Sequence, residues 1–532
     1  MRRSDYLALL SLVLLTVAFT VGALRASTPP AEDAAMLLRY AQHLAQGHGI
    51  VWNIGDKPID GATDFLFMVV IAGLVKLGLG VTAAARGLIF TAHLLTVIVV
   101  YLALRKLHHA HLWAALFSAA YLALSPARGL IVAGFGAPFF ALFVCITWCF
   151  AMMLAQAPNS TGLALLFALS GLVTGLIRPE GALLSAFMLV ALLYITGFRN
   201  SSRTITCFLA VFILLGGAYF LWRWNYFGYP LPNPFYRKGG GHFYFGSLLF
   251  SLRNTVRLCT IFLLAFIIGL RDRRARKQTI FVLIPVAGFV AMWVLLSNEM
   301  NWLGRFQYAV LPLVLVSWPL LVKWSREGEE PPRIAKVDEG RGNWAVAAAA
   351  GACALLLLQG FFSSRPQFRP DGRYDVALLL RAYRDRGYTL ATTEAGQLPL
   401  YSGWRAIDTW GLNDSWIAHN GGITEGYLAR YRPELIIFHA YFSPVAPLGE
   451  EKRDAWSAMS RTLLDYAKAN HYTLAAAYGL SPDDTHYYYV RPDLTESSEI
   501  VRAIRGVDYR MRGRQKCTNY APHPGLFMNN PG

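Results

Sequence analysis

The chain has 532 residues, of which 55% are hydrophobic and 15% charged, and its mean hydropathy is +0.38. Soluble domains usually carry about a quarter charged residues, so this composition excludes an ordinary soluble enzyme, and its apolar content excludes a disordered chain. The 49 Lys and Arg exceed the 32 Asp and Glu, which gives a net charge of +17. In a soluble protein such an excess would point to nucleic acid, whereas in a membrane protein it marks cytoplasmic loops.

Apolar runs occur along most of the first two thirds of the chain. A hydrocarbon core needs about 20 apolar residues per helix. The runs that fit are 6–25, 84–104, 110–126, 134–156, 161–177, 180–197, 203–224, 253–271, 279–298, 306–323 and 344–362. A further stretch, 64–80, is shorter and is broken by glycines. The sequence therefore predicts a polytopic α-helical membrane protein, with the first run as an uncleaved anchor rather than a signal peptide.

The positions of Lys and Arg predict the orientation. If 64–80 crosses the membrane, the basic residues at 105–106 and at 199 lie outside, against the positive-inside bias. If 64–80 is interfacial or re-entrant, all the basic stretches face the cytoplasm, namely 2–3, 105–106, 199–203, 271–277 and 323–341. We therefore expect about eleven transmembrane helices plus one interfacial or re-entrant segment. The N-terminus is then cytoplasmic, and everything after about residue 362 lies outside the cell or in the periplasm.

Three segments fall on the outer side, and the last is long enough to fold by itself. They are the loops 26–63 and 225–250 and the tail 363–532, here called the C-terminal domain. The tail alternates helix-like and strand-like stretches, which predicts a small extracytoplasmic α/β domain after a membrane domain of residues 1–362. The helix-like stretches are 374–387 and 453–470, and the strand-like ones are 388–393, 434–440, 472–478 and 486–491. Residues 515–532 are rich in Pro, Asn and Gly and are expected to be frayed.

The first outer loop carries an acidic pair. Residues 33–46 have the apolar spacing of an amphipathic helix lying along the membrane. Glu32 and Asp33 stand at its start, where carboxylates are also favoured by exposed N–H groups and by the helix dipole. The pair can therefore serve to cap the helix. It can alternatively be functional, because charge at the mouth of a membrane bundle is costly.

Several motifs, in this order, resemble those of GT-C glycosyltransferases that use polyprenyl-phosphate sugars, in particular mycobacterial-type terminal arabinofuranosyltransferases. They are Glu32-Asp33-Ala34 with Arg39-Tyr40-Ala41 and Gly47-His48-Gly49, then Arg178-Pro179-Glu180-Gly181, then 229–238, 301–306 and 393–414. Two departures stand out. Gly134-Phe135-Gly136 replaces a frequent Gly-Met-Glu, and Asn301 replaces an acidic residue. The roles of those carboxylates therefore do not transfer to this chain.

The resemblance implies inverting sugar transfer, with arabinofuranose as one candidate sugar. Such a displacement needs a carboxylate that takes the proton of the acceptor hydroxyl. We expect Asp33 to be this base, since GT-C enzymes place an Asp in this loop, with Glu32 as the alternative base or as a group that orients the acceptor.

The leaving phosphate needs cations. The candidates are Lys238, Arg305, Arg178, Arg237 and Arg39. Snorkelling to lipid headgroups is an alternative for Arg305 and Arg178, and pairing within its own helix is one for Arg39. The candidates for sugar or acceptor binding are Tyr236, Asn233, Trp302, His48, Glu394 and Asp414. An aromatic belt, loop hydrogen bonds and helix capping are the alternatives for these.

No metal site is visible in the sequence. The six cysteines form no CxxC motif or Cys/His cluster, and two adjacent carboxylates are a poor divalent site by themselves. We therefore expect no required cofactor, although a divalent cation remains possible.

The expected partners are a polyprenyl-phosphate-linked sugar, a glycan, lipid or protein acceptor of the cell envelope, and membrane lipids, but no nucleic acid. The expected location is the bacterial inner membrane, and the oligomeric state is left open. An oligosaccharyl or O-antigen-type ligase is the neighbouring alternative. A transporter fits less well, because ionisable residues are scarce within the apolar runs.

Overall fold

The computed structural model describes residues 3–239, 243–296, 301–322, 372–439, 450–479 and 485–507, with three two-residue strands nearer the C-terminus. The regular elements among the described residues up to 322 are all helical. Their α-helices are Arg3–Leu24, Glu32–Ala45, Phe65–Lys76, Val81–Leu102, Leu112–Ala123, Ala127–Ala133, Ala137–Gln156, Thr161–Ile177, Pro179–Thr196, Ser202–Val211, Gly217–Phe227, Phe245–Cys259, Leu263–Arg271, Arg276–Ala291 and Val310–Ser317. π-helical turns occupy Ala103–Leu107, Phe212–Gly216 and Phe235–Gly239.

Eight helical stretches of the described chain are long and apolar enough to cross a membrane. They are Arg3–Leu24, Val81–Leu107, Leu112–Ala133, Ala137–Gln156, Pro179–Thr196, Ser202–Phe227, Phe245–Arg271 and Arg276–Val294. Two further predicted runs are the shorter apolar helices Thr161–Ile177 and Val310–Leu320, and the run 344–362 lies outside the described residues. The chain is thus a multi-pass membrane protein, and the count of eleven crossings stays a prediction.

The glycine-broken stretch 64–80 forms a short helix. Phe65–Lys76 has 12 residues, which at 1.5 Å per residue is about 18 Å. A hydrocarbon core is about 30 Å thick, so this helix is too short to cross one unaided. Its length agrees with the expected interfacial or re-entrant segment, and the choice between those two stays open.

A tight helical hairpin places Arg178 and Glu180. Thr161–Ile177 ends at Arg178, and Pro179 begins the next helix at a position where its missing N–H costs nothing. A Cβ on Gly181 would overlap the backbone of Thr174, so only glycine lets the two helices meet this closely. The hydroxyls of Thr174 and Ser185 bond across the contact at 2.9 Å. This packing fixes the turn between the helices.

The C-terminal domain is built on a mixed six-stranded sheet, which confirms the predicted α/β character. The strands are β1 (Thr389–Thr392), β2 (Arg405–Asp408), β3 (Leu435–His439), β4 (Thr473–Gly479), β5 (Thr485–Val490), β6 (Arg510–Met511), β7 (Gln515–Lys516) and β8 (Thr518–Asn519). The sheet order is β2-β1-β3-β5-β4-β8, while β6 and β7 form a separate pair. Strand β1 runs parallel to β2 and β3, and the other pairings are antiparallel.

Helices cover both faces of the sheet. They are Arg373–Leu380, Gln397–Ser402, Ser415–His419, Glu425–Tyr431, Glu450–Ala469 and Ser497–Arg505. Leu435 and Ile437 belong to the core that continues into the membrane bundle, whereas Ile436 and Phe438 pack in a second core with Trp456. This alternation follows from the two-residue period of a strand.

Two expectations for the tail need correction. The sequence reading missed β2, because Arg405–Asp408 shows neither an apolar run nor an alternation. The chain from 515 was expected to be frayed, but Gln515–Lys516 and Thr518–Asn519 are strands, and β8 pairs with β4 at Tyr478. Backbone pairing orders these four residues, and the rest of 515–532 lies outside the described part of the chain.

Candidate active site

The helix Glu32–Ala45 carries Asp33 to the wall of a cavity. Its entry is fixed by a hydrogen bond of 2.9 Å from the Ala31 N–H to the Ala133 carbonyl. Gly134, at φ +80°, lets the chain turn beside this helix, where a Cβ would lie 3.3 Å from Ala34. Asp33 stands in the first turn with 26% of its side chain accessible. Its carboxylate is therefore held near an apolar wall but open to a ligand.

The cavity has a volume of about 400 Å³ and lies where the loop 26–63, the 178 turn, the 231–238 segment and residues 293–296 and 305–306 meet. Its apolar lining includes Met36, Leu37, Phe67, Phe135, Leu183, Leu231, Phe235, Trp293, Leu296 and Phe306. Its charged lining consists of Asp33, Asp64, Arg178, Glu180, Lys238 and Arg305. An apolar pocket with a few converging charges is the usual form of a small-molecule site.

Asp33 and Arg305 form an ion pair across the cavity wall. The guanidinium of Arg305 also lies 4.0 Å from the ring centroid of Phe135 and 4.7 Å from that of Phe306. Burial acts to raise the pKa of Asp33, but Arg305 and Lys238 together hold that pKa below its usual value. Asp33 is thus kept ionised, which is the state a general base requires.

A second charged group faces the same cavity. Arg178 lies 2.9 Å from Glu180 and 3.6 Å from Asp64, and its guanidinium is 5.2 Å from the ring centroid of Phe306. Burial raises the pKa of Asp64 in spite of Arg178. Sequence reasoning singled out neither Asp64 nor Glu180 as a site residue. The sequence features that could have indicated them are the turn motif around Glu180 and the position of Asp64 at the start of an apolar helix.

Glu32 points away from the cavity, although it is the neighbour of Asp33. Its carboxylate accepts hydrogen bonds from the backbone N–H groups of Gly396 at 2.8 Å and Gln397 at 3.0 Å, and it lies 3.1 Å from Arg373. A Cβ on Gly396 would overlap the backbone of Glu32, so the contact needs glycine. Glu32 therefore fastens the start of the helix to the C-terminal domain.

Arg39 also holds the two parts of the protein together. Its guanidinium donates to the carbonyls of Trp52 at 2.8 Å, Trp404 at 2.9 Å and Pro399, and to the Asn53 side chain at 3.1 Å. Arg39 is only 3% exposed, and burial lowers its pKa to about 9. It does not line the cavity.

The 229–238 segment sends neighbouring side chains in different directions. Lys238 lines the cavity, whereas the guanidinium of Arg237 lies 4.0 Å from the ring centroid of Trp410 in the C-terminal domain. Buried Asn233 donates to the carbonyls of Gly411 at 2.8 Å and Leu412 at 3.0 Å. Tyr236 packs on His419 at 4.5 Å between centroids. Of this segment's candidates, only Lys238 faces the cavity in the structure.

The other candidates for sugar or acceptor binding are dispersed. Trp302 lies in a 3₁₀ turn and is partly buried, and His48 is exposed in its loop. Asp414 accepts from the Ile417 N–H at 3.0 Å and from the Tyr427 hydroxyl at 2.7 Å, which is the capping geometry given as its alternative. None of these three is part of the cavity lining.

Glu394 belongs to a cluster that sequence spacing did not reveal. Its carboxylate pairs with Arg373 and lies 3.6 Å from His439 and 3.7 Å from His486. The three side chains offer atoms within 4.8 Å of one another, close enough to hold one metal ion. The spacing of Cys and His residues in the sequence does not indicate this cluster, because His439 and His486 lie on different strands.

Comparisons with known structures show the fold. ArnT from Cupriavidus metallidurans in the apo state matches with a TM-score of 0.56 and 16% identity, over 90% of this chain and 97% of that chain. ArnT bound to undecaprenyl phosphate matches with a TM-score of 0.56 and 14% identity, over 92% and 98%. The arabinofuranosyltransferase AftD from Mycobacteria matches with a TM-score of 0.49 and 14% identity, over 93% of this chain and 40% of that chain.

A domain of unknown function, DUF8728, matches residues 363–491, and no curated protein matches the chain. The similarity to ArnT extends over nine tenths of both chains and confirms the expected GT-C fold. Because one fold hosts several activities, the chemistry has to be argued from the cavity.

Proposed function

We propose that this chain, a multi-pass membrane protein with the GT-C fold, transfers a sugar from a polyprenyl-phosphate donor to a glycan, lipid or protein acceptor of the cell envelope. The observation that carries the proposal is the ion pair of Asp33 with Arg305 at a largely apolar cavity that Lys238 also lines. A base beside cations at the edge of a membrane bundle is what sugar transfer from a lipid phosphate requires.

Asp33 is the proposed general base. It takes the proton of the acceptor hydroxyl while the acceptor oxygen attacks the anomeric carbon. The bond between that carbon and the phosphate oxygen breaks, and the leaving phosphate keeps the electron pair. The lowered pKa of Asp33, caused by Arg305 and Lys238 against the effect of burial, supports its being ionised before the acceptor arrives.

The cations are proposed to bind the phosphate. Lys238 and Arg305 neutralise the charge of the leaving group, and Arg178 lies on the same cavity beside Asp64 and Glu180. A phosphate leaving group carries its own negative charge, so no acid is needed to protonate it. The apolar lining around Leu183 suits the prenyl chain next to the charged group.

The direct test is transfer in vitro from a small panel of polyprenyl-phosphate sugars, with arabinofuranose first, and with the product identified by mass. A mass increase of one sugar supports the proposal. Transfer of a preassembled oligosaccharide would instead support a ligase on the same fold. If no donor of the panel yields a product but a solute crosses the membrane of proteoliposomes, the proposal is wrong.

Asp33→Asn tests the base. A positioned general base contributes about 10²- to 10⁴-fold, so we expect a loss of kcat of that size with an unchanged melting temperature. Glu32→Gln is the matched control, because glutamine can still accept from Gly396 and Gln397, and it should keep most of the transfer activity. The reverse pattern would make Glu32 the base.

We further propose that the protein lies in the bacterial inner membrane, with a cytoplasmic N-terminus and the cavity and C-terminal domain outside. The short helix Phe65–Lys76 and the distribution of basic residues support this orientation. A topology reporter fused after Gly80 should read extracytoplasmic. A cytoplasmic reading would refute the orientation without affecting the chemistry.

A further inference from the structure

We propose that Glu394, His439 and His486 bind one Zn²⁺ ion inside the C-terminal domain. The proposal goes beyond sugar transfer and does not depend on it. It rests on the position of the three donors, on their burial and on the contacts that hold them in place.

The distances fit one tetrahedral ion. Zinc bonds to His nitrogen and carboxylate oxygen at about 2.0 to 2.2 Å, and two such ligands at a tetrahedral angle are therefore about 3.4 Å apart. The Glu394 oxygen lies 3.6 Å from Nδ1 of His439 and 3.7 Å from Nε2 of His486. These two distances exceed the bound spacing by a few tenths of an ångström, and the donor atoms of all three residues lie within 4.8 Å of one another.

The sheet holds the donors rigidly. His439 and His486 face each other across the antiparallel pair β3–β5, and their rings are parallel with centroids 4.2 Å apart. Glu394 follows β1, which runs parallel to β3 on its other side. His439 is 7% exposed and His486 3%. Three neighbouring strands thus bring a carboxylate and two imidazoles to one end of the sheet.

The surroundings resemble the outer contacts of known metal ligands, which are usually fixed by further hydrogen bonds. The second oxygen of Glu394 pairs with Arg373. The backbone of His439 donates to the Thr393 hydroxyl at 2.9 Å and accepts from the Trp456 indole at 3.1 Å. These bonds orient the donors whether or not an ion is present.

The donor set selects the metal. Two imidazoles and one carboxylate suit Zn²⁺, whereas Mg²⁺ and Ca²⁺ prefer sites made of oxygen ligands. Three protein ligands leave a fourth position for water. Arg373 contacts both Glu394 and Glu32, and Glu32 is bonded to Asp33 along the chain. The ion would therefore stabilise the part of the C-terminal domain to which the helix of Asp33 is fastened.

The experiment uses the full-length protein, purified in detergent with a non-histidine tag and treated with a chelator. Zn²⁺ is then added, and bound metal and melting temperature are measured, with Mg²⁺ added in a parallel series. We expect one Zn²⁺ per chain, a rise in melting temperature with Zn²⁺, and no rise with Mg²⁺. Binding of a ligand to the folded state alone raises stability by mass action.

His439→Gln and His486→Gln should each abolish stoichiometric binding and the thermal shift. His471→Asn is the control, because His471 is an exposed histidine of the same domain, and asparagine tolerates its φ of +57°. This variant should bind like the wild type. The proposal is overturned if the wild type binds no zinc, or if both glutamine variants still bind one ion. These readouts need no transfer activity, so failure here leaves the proposed sugar transfer unaffected.

Discussion

Replacing Arg39 by methionine separates its two possible roles. Methionine keeps most of the length of the side chain but removes the charge and every donor. In the structure Arg39 binds the Trp52 carbonyl within the loop 26–63 and joins this loop to the C-terminal domain through the carbonyls of Pro399 and Trp404. We therefore expect Arg39→Met to loosen this junction and to leave donor binding unchanged.

The contacts give the size of the effect. The Pro399 carbonyl also accepts from the Gly403 N–H at 3.2 Å, and the Asn53 oxygen from the Ala406 N–H at 2.9 Å, so both keep a partner. Trp52 and Trp404 lose the donor that Arg39 provides. A buried carbonyl left without its donor costs about 1 to 3 kcal/mol, which gives about 2 to 6 kcal/mol for the two carbonyls.

The assay is thermal unfolding of the purified full-length protein, combined with the donor KM in the transfer reaction. For a domain of about 150 to 250 residues, the size class of the C-terminal domain, each kcal/mol lowers the melting temperature by about 2 to 4 °C. We therefore expect the melting temperature of Arg39→Met to fall by on the order of 10 °C. Arg384→Met is the control. Arg384 is 55% exposed and pairs with its exposed neighbour Asp385, a kind of pair that contributes about 0 to 1 kcal/mol.

One outcome would refute this reasoning. If Arg39→Met melts within about 2 °C of the wild type and its donor KM rises tenfold or more, Arg39 contacts the donor phosphate. The junction would then be held by other contacts.

Three further substitutions test the cavity and its junction with the C-terminal domain. Arg305→Gln should raise the donor KM and move the acidic limb of the pH–rate profile to higher pH, because Arg305 lowers the pKa of Asp33 against burial; an unmoved limb contradicts this. Lys238→Met should raise the donor KM about tenfold to a hundredfold at constant melting temperature, and unchanged donor affinity would assign Lys238 to headgroup anchoring. Gly396→Ala should cost about 1 to 3 kcal/mol by overpacking against Glu32, whereas Gly426→Ala, with open space around it, should not destabilise.

The local pattern of apolar residues was sufficient to predict most helices and several strands. Hydrophobicity over about 20 residues identifies a membrane helix without knowledge of its neighbours. The run Leu435-Ile436-Ile437-Phe438 is apolar throughout because both faces of its sheet are covered. Asp33 was a candidate through the resemblance to GT-C enzymes, which place an Asp in this loop; the structure places it on the cavity, and its role as base stays a prediction.

The partners of the charged residues could not be predicted in the same way. Glu32 meets the Gly396 N–H across 364 positions of sequence, and no local pattern encodes such a contact. Arg39 and Lys238 are both cations in segments predicted to lie on the outer side, yet one lies in a junction and the other on the cavity. The zinc donors are a further example, since Glu394, His439 and His486 meet only after three strands pair.

Glu32 is bonded to the C-terminal domain while its neighbour Asp33 lines the cavity, and this arrangement has a mechanical consequence. Adjacent Cα atoms are about 3.8 Å apart, so one peptide unit separates the fastening of the C-terminal domain from the proposed base. A displacement of that domain at Gly396 therefore moves the backbone of Asp33 almost as far. A substitution near Gly396 can thus slow transfer by misplacing the base, without any contact between the domain and the acceptor. Such a variant lowers kcat at an unchanged acceptor KM, whereas loss of an acceptor contact raises that KM.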